Sequence, residues 1–258
     1  MTALARRVPI LAYHSIADGP PPLCVSPSRF AEHVASLHGD GWHTLTLDAF
    51  LAGHVCGGWP ARSLMLTFDD GMESFAKEAV PRLVRVGYCA IAFIVSGKIG
   101  GATDWPGWPP GAPVERLLDA RALVEVAAAG MEIGAHSVSH ARLTGLAPAR
   151  IAREILDSCA RLEDVVGRPV RTFAYPFGDA PPDARRLVGS HFDAGFGIKL
   201  AYASAGSRLE RLERIDAYYL RRRTSLASLS SRTTRMALAG RSMLREIRRR
   251  SGYGGYSL

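Results

Sequence analysis

Cysteine is scarce in this chain of 258 residues, and long apolar runs are lacking. The four cysteines are widely separated, with no C-x-x-C spacing, which excludes a thiolate zinc cluster and gives no indication of a disulfide framework. The longest apolar run, Cys89–Val95, is far shorter than the ~20 residues that span a bilayer. The segment Met1–Arg7 also lacks the apolar core of a signal peptide. We therefore expect a soluble, cytoplasmic protein with reduced thiols.

Acidic residues are nearly absent from one segment, residues 221–250, which holds ten arginines and the single acid Glu246. The remaining residues carry 22 basic and 23 acidic side chains, so the net charge of +8 describes this segment and not the body of the protein. Leu229, Met236 and Met243 recur in it every seven residues. We expect residues 1–220 to form one domain and residues 221–258 a basic C-terminal helix or tail.

The basic segment has three interpretations. It is a helix packed on the domain with a solvated basic face, or an amphipathic helix in peripheral contact with the inner face of an anionic membrane. Nucleic-acid binding is less favoured, because no aromatic residues are interleaved with the arginines.

Short apolar runs alternate with helical patterns along the rest of the chain. This order indicates an α/β fold with a parallel sheet. Six or seven β/α units favour a distorted barrel of about seven strands, and an open doubly wound sheet is the alternative. The predicted strands are Val8–Tyr13, Ser63–Phe68, Tyr88–Val95, Met131–Ala135, Val170–Tyr175 and Phe192–Gly197. The predicted helices include Phe75–Val86, Ala120–Ala129, Pro148–Val166 and Pro182–Ser190.

Polar side chains follow four of these predicted strands, where parallel α/β folds place their ligand sites. The second strand ends in TFDDG, with Asp69 and Asp70, and the first in Tyr13-His14. The fourth ends in HSVSH, whose His136 and His140 are four residues apart, a spacing that predicts a helical turn with both imidazoles on one side. Two imidazoles and one carboxylate are a ligand set for a catalytic zinc-like ion.

These motifs, together with FAYPFG at Phe173–Gly178, closely resemble the polysaccharide deacetylase family, carbohydrate esterase family 4. The resemblance covers roughly residues 8–216 and implies a (β/α) barrel, a divalent metal, and hydrolysis of N-acetyl groups on sugars. The metal is most commonly Zn²⁺, with Co²⁺ or Ni²⁺ as alternatives. By this resemblance Asp70, His136 and His140 are metal ligands, Asp69 is the general base, and the backbone N–H of Phe177 holds the oxyanion.

The sequence departs from the common family pattern at three places. Ala174 replaces the third-motif arginine that usually braces the base, which leaves that role open, with Arg214 as a candidate. The usual Trp-bearing fourth motif is not recognisable, and Leu212–Asp216 reads LERID where a Leu-x-His motif normally supplies the general acid. We expect His14 to be this acid, because Tyr13-His14 resembles the early Tyr-His of exopolysaccharide deacetylases with circularly rearranged motifs. His14 satisfied by a loop carbonyl is the alternative.

Aromatic residues near these motifs are candidates for contacting the substrate. Tyr175 belongs to the third motif, and Trp105 and Trp108 lie in the Gly/Pro-rich loop Gly97–Pro113. The tryptophans form a sugar-stacking wall or pack beneath the loop. We expect a metal-dependent deacetylase of an N-acetylated glycan in exopolysaccharide or cell-surface glycan biosynthesis. The alternatives are an amidohydrolase for a non-sugar amide and a catalytically inactive glycan-binding domain.

Overall fold

A computed structural model describes residues 4–108, 112–220 and 226–250, with side chains through residue 245. The central feature is a closed barrel of seven parallel strands. The strands are β1 (Ile10–Tyr13), β2 (Ser63–Phe68), β3 (Ile91–Ile94), β4 (Glu132–Ala135), β5 (Thr172–Ala174), β6 (Ala194–Leu200) and β7 (Leu212–Asp216). The predicted barrel is confirmed, and the open doubly wound sheet is wrong.

The barrel closes through its first strand. Leu11 of β1 pairs in register with Leu66 of β2 on one side and with Ile215 of β7 on the other. The chain therefore places its N-terminal strand between the second strand and the last. Short strands lie outside the ring: Arg7–Val8 pairs antiparallel with Ala203–Ser204, and His43–Thr44 pairs with the start of β2.

Helices cover the outside of the barrel. They are α1 (Pro27–Gly39), α2 (Leu47–Val55), α3 (Val80–Arg85), α4 (Ala120–Ala128), α5 (Pro148–Ala152), α6 (Ser158–Val166), α7 (Pro182–His191) and α8 (Arg232–Arg250). Ser26 begins α1, because its hydroxyl accepts the N–H of Arg29. Short 3₁₀ turns occupy Ser96–Lys98, Pro176–Gly178, Leu209–Arg211, Ala217–Tyr219 and Ala227–Ser230.

The barrel interior is filled by side chains that alternate along each strand. Apolar residues such as Ile10, Met65, Phe93 and Phe196 form its lower layers. Gly134 of β4 is required there, because a Cβ atom at this position would lie 2.5 Å from the Phe93 ring. Residues further along the same inward rows are polar, so the alternation places polar side chains inside the carboxyl-terminal end of the barrel.

Four features of the chain differ from the predicted elements. The strand β7 was not predicted, although it closes the barrel, and neither was α2. The predicted helix Pro148–Val166 contains a π turn at Arg153–Asp157, and the predicted helix Phe75–Val86 begins with a π turn at Phe75–Ala79. π turns insert one residue into a helix and often accompany functional sites.

The basic segment contains the helix α8, whose inner face contacts the barrel through Leu238, which is 4% exposed. Met236, Met243 and Leu244 of the same helix are exposed. Arg221, Arg222 and Arg223 and residues 251–258 of the predicted tail lie outside the described residues. Within the described part of the chain, no helix is both long and apolar enough to cross a membrane.

Candidate active site

Two consecutive aspartates at the end of β2 point into different surroundings. Asp69 continues the inward row that begins with Met65 and Thr67. Asp70 has a φ of 74° and Gly71 a φ of 76°, so the backbone turns sharply after Asp69. Aspartate tolerates this left-handed conformation better than most residues. The turn separates the two carboxylates, although both are buried.

Asp70 lies against two histidines from the loop after β4. Its Oδ1 atom is 3.4 Å from Nε2 of His136 and 3.3 Å from Nε2 of His140. Burial favours the neutral acid, but the two histidines outweigh it and hold the pKa of Asp70 far below its ordinary value. Within the described chain these three residues form the group able to hold a metal ion.

The donor atoms fit a cation. Oδ1 of Asp70 is buried and has no hydrogen-bond donor, which is costly for a carboxylate unless a positive charge satisfies it. Nδ1 of His136 lies 2.7 Å from the carbonyl oxygen of Ala174 and donates to it. The lone pair of His136 is therefore on Nε2, the atom that faces Asp70. The backbone of Ala174, in the third motif, thus orients a candidate metal ligand.

The His136–His140 segment is a loop, so the predicted helical turn is wrong. Ser137 and His140 have φ values of 64° and 55°, and these left-handed residues fold the loop back so that the imidazoles converge. Glu154 holds this loop from the π turn between α5 and α6. Its carboxylate accepts the N–H groups of Val138 and Ser139 at 3.1 and 2.9 Å and the Ser139 hydroxyl at 2.8 Å.

Arg214 of β7 contacts the other aspartate. Its two terminal nitrogens donate to the two carboxylate oxygens of Asp69 at 2.6 and 2.7 Å, and its Nε donates to the carbonyl of Gly197. Burial alone would raise the pKa of Asp69, but the paired guanidinium outweighs this and lowers it. Asp69 is therefore ionised and held in one orientation. Arg214 therefore holds Asp69 in place of the third-motif arginine that Ala174 replaces, as the sequence suggested.

His14 faces the same aspartate from the end of β1. Its Nε2 lies 3.9 Å from Oδ2 of Asp69, and its side chain is 14% exposed. Asp216, at the end of β7, lines the same pocket and was not identified from the sequence. Burial raises the pKa of Asp216. Its place could have been anticipated from the inward row that β7 forms with Leu212 and Arg214.

The third motif forms the opposite wall. Phe177 has a φ of 56° in the turn Pro176–Gly178, and its ring packs edge-on against His140 with centroids 4.6 Å apart. The pocket is lined by Phe177 and by Tyr175. Tyr175 is 1% exposed and donates its hydroxyl to the carbonyl of Glu210, so this hydroxyl is already engaged within the protein.

The two tryptophans differ in position. Trp105 is 3% exposed, and its ring lies over His140 with centroids 4.6 Å apart. It packs with Met72, Val95 and Leu117, so it positions a metal-ligand candidate and offers little face to a sugar. Trp108 packs edge-on against Trp105, is half-buried and lines the pocket. The packing alternative therefore holds for Trp105, and Trp108 is the tryptophan placed for sugar stacking.

The histidines outside the site have structural contacts. His33 bonds to the hydroxyl of Tyr13, His43 to Ser63, and His54 to the carbonyl of Ser207. His191, which follows His140 in the sequence, is exposed at the end of α7 and does not line the pocket.

The sequence matches a known protein family and a curated relative. Residues 57–191 match the sequence model of the family described as polysaccharide deacetylase. The chain is 29% identical over 173 residues to "Putative polysaccharide deacetylase YxkH" of Bacillus subtilis (strain 168). That match covers 67% of this chain and 57% of the relative, so the chain spans little more than half the relative's length.

Solved structures share the barrel. The Streptococcus pyogenes deacetylase PplD, solved in complex with acetate, superposes with a TM-score of 0.71 at 24% identity over 83% of this chain and 93% of that chain. IcaB from Ammonifex degensii superposes with a TM-score of 0.69 at 20% identity over 85% of this chain and 97% of that chain. At these identities the comparison establishes a common fold.

Proposed function

Since this chain belongs to the polysaccharide deacetylase family, we propose that it hydrolyses N-acetyl groups on an amino-sugar glycan or glycan precursor. One observation carries the proposal: two adjacent carboxylates have separate partners. Asp70 faces two imidazole nitrogens, whereas Asp69 is paired with Arg214 and faces His14. One carboxylate is thus arranged for metal binding and the other for proton transfer.

Asp70, His136 and His140 would hold a divalent metal, for which we propose Zn²⁺, with Co²⁺ or Ni²⁺ as alternatives. Two imidazoles and one carboxylate match the ligand set of catalytic zinc. When bound, such an ion lowers the pKa of water and polarises a carbonyl oxygen.

The proton transfers are assigned to side chains on two strands. Asp69 accepts a proton from the attacking water, and Arg214 keeps its carboxylate ionised and oriented for that purpose. The amide carbon–nitrogen bond then breaks, and His14 donates a proton to the departing amine. The backbone N–H of Phe177 is the proposed donor to the oxyanion. The products are acetate and a free amino sugar.

We place the reaction in exopolysaccharide or cell-surface glycan biosynthesis, on the strength of the early Tyr13-His14 pair and the FAYP form of the third motif. A non-sugar amide as substrate is the second candidate, because the same side chains serve any small acyl amide. An inactive glycan-binding domain is disfavoured, since binding alone does not require both aspartates and both histidines.

We also propose peripheral contact with an anionic membrane surface at the cytoplasmic face. The support is α8, which exposes Met236 at 65% and Met243 at 69% beside several arginines. Exposed apolar residues flanked by cationic ones are typical of helices that lie in the membrane interface.

The deciding experiment measures acetate release from N-acetylglucosamine oligomers together with bound metal. Asp69→Asn should lower kcat by about 10²- to 10⁴-fold while metal content stays unchanged, because Asp69 transfers a proton and does not face the histidines. Asp183→Asn, an exposed aspartate on α7, is the matched control and should behave as wild type. Metal-loaded wild type that releases acetate only from non-sugar amides would select the second candidate. Wild type that neither binds metal nor releases acetate would support the inactive domain.

A further inference from the structure

A groove of about 860 Å³ extends from the candidate active site to α8. Its walls are the turn and loop after β5, the end of β6, and one side of α8. Arg142, Phe177 and Ile198 line both this groove and the active-site pocket. A chain of sugars held in the groove would therefore continue directly into the site that contains Asp69.

The walls of the groove are positively charged. The basic residues lining it are Arg142, Lys199, Arg211 and Arg245. Its acid is Asp179, whose carboxylate already accepts the N–H and the hydroxyl of Thr144. Lys199 is paired with Glu213 at 3.5 Å. Among the described residues, the three arginines have no carboxylate within the 4.0 Å of an ion pair.

Arg245 has an unsatisfied donor in the wall. Its Nη1 donates to the carbonyl oxygen of Ile198 at 3.4 Å, whereas its Nη2 is buried and has no acceptor within the described chain. A buried guanidinium donor without an acceptor costs free energy, and the positive charge of Arg245 at the groove wall attracts an anionic ligand. The nearby acid on β7, Asp216, accepts the N–H of Tyr218 and lies on the active-site side.

Arg142 marks the boundary between the pocket and the groove. Its guanidinium carbon lies 4.1 Å from the centre of the Phe177 ring, a cation–π contact that fixes the position of the group. The nitrogens at the edge of a stacked guanidinium stay available as donors, and their fork matches the two oxygens of a carboxylate or phosphate. An acidic group bound by Arg142 would therefore lie next to the sugar in the active site.

We propose that this groove binds a negatively charged group of the substrate, so that the enzyme acts on an acidic N-acetylated glycan. The recognised chemistry is an oxyanion, supplied either by the carboxylate of a neighbouring uronic acid or by a phosphate ester. The inference rests on the proposed deacetylase function and adds the charge of the substrate to it.

The test compares equilibrium binding of three probes to the full chain carrying Asp69→Asn, which slows turnover. The probes are a neutral N-acetylglucosamine tetramer, a tetrasaccharide alternating N-acetylglucosamine with glucuronate, and N-acetylglucosamine 1-phosphate. We expect the uronate tetrasaccharide to bind about tenfold more tightly than the neutral tetramer, with a preference that falls as salt is raised. The phosphate probe, used as a competitor, shows which oxyanion is preferred.

Substitutions assign the preference to the groove. Arg142→Gln and Arg245→Gln should each reduce the ratio of acidic to neutral affinity several-fold, and Arg142→Glu should favour the neutral tetramer. Arg186→Gln is the control, because Arg186 is exposed on α7 and paired with Asp183. Equal affinity for acidic and neutral probes, or an equal loss in Arg186→Gln, would overturn the inference. The inference would also be overturned if Arg142→Gln and Arg245→Gln weakened binding to anionic vesicles but left the oligosaccharide affinities unchanged.

The two levels of the proposal fail separately. Absence of acetate release by metal-loaded wild type from every acetylated sugar contradicts the deacetylase function. Deacetylase activity without a preference for acidic probes contradicts only the proposal that the groove binds an acidic group.

Discussion

Asp69 and His14, the proposed base and acid, come from the ends of two neighbouring strands. β1 and β2 are paired in register, and each delivers its inward residue one position past the strand end. Asp69 is fixed by Arg214, whereas His14 at 3.9 Å keeps a loose contact with it. The fixed carboxylate is suited to accept a proton, and the less constrained imidazole is suited to deliver one.

Replacing His14 tests this division. His14→Ala should lower kcat for N-acetylglucosamine oligomers by about 10²-fold or more, because the amine then leaves without a proton donor. Metal content should stay at the wild-type level, since His14 is not among the residues that face Asp70.

His191→Ala provides the comparison, because His191 is exposed on α7 and does not line the pocket. Wild-type turnover by His14→Ala would contradict His14 as the proton donor and leave Asp216 as the next candidate.

Residues at strand ends were predictable from the sequence, whereas their partners were not. Asp69, Asp70, His136 and His140 follow apolar runs, and parallel strands bring such residues to one edge of the barrel. The partner of Asp69 depends on which strand lies beside β1. The charged sequence LERID gives little indication of a strand, so Arg214 could only be named as a candidate.

At the scale of elements, the π turn between α5 and α6 positions the loop that carries the candidate metal ligands His136 and His140. Glu154 lies in this turn, is 2% exposed, and its carboxylate accepts two backbone N–H groups and one hydroxyl from Val138 and Ser139. Glu154→Ala should weaken metal binding by about 10- to 100-fold, as measured by competition with a chelator, because the imidazoles lose their fixed geometry.

Glu125→Ala is the matched control, since Glu125 pairs with Arg121 four residues earlier, as Glu154 pairs with Arg150, but is exposed. If both variants bound metal as tightly as wild type, the loop would hold its geometry without Glu154. The sequence spacing predicted a helical turn instead of this loop, because four-residue spacing does not reveal left-handed residues.

The exposed methionines of α8 lead to a second prediction at this scale. The full chain should co-sediment with phosphatidylglycerol vesicles more strongly than with phosphatidylcholine vesicles. The double variant Met236→Ser and Met243→Ser should weaken this binding by about tenfold or more, because burying a methionine contributes about 1.5–3 kcal/mol.

The corresponding double variant Val84→Ser and Val124→Ser removes exposed apolar residues from α3 and α4 and should bind as wild type. Equal sedimentation with both lipids would contradict a membrane role and favour a helix that only packs on the barrel.

At the scale of the whole molecule, Glu132 links stability to pH. It begins β4 at the end of the barrel opposite the active site, where burial raises its pKa from 4.5 to about 7, although Arg171 and Arg168 act against this shift. The folded protein therefore binds this proton more tightly than the unfolded chain. This contribution to stability is full below about pH 4.5 and is lost as the pH rises toward 7.

Glu132→Gln removes the titration. At pH 8 the variant should be more stable than wild type by about 2 kcal/mol, which corresponds to roughly 4–8 °C in Tm. The difference should disappear near pH 4, as thermal unfolding at both pH values would show. A Tm difference independent of pH would assign the effect to packing.

The closure of the barrel by β1 has a consequence for synthesis of the protein. A nascent chain that has emerged only through β6 contains Asp70, His136 and His140, but its first strand still lacks one neighbour and Asp69 still lacks Arg214. Asp69 can therefore pair with Arg214 only after the last strand has left the ribosome. An interrupted translation product would carry the candidate metal ligands, while Asp69 would lack the arginine that orients it.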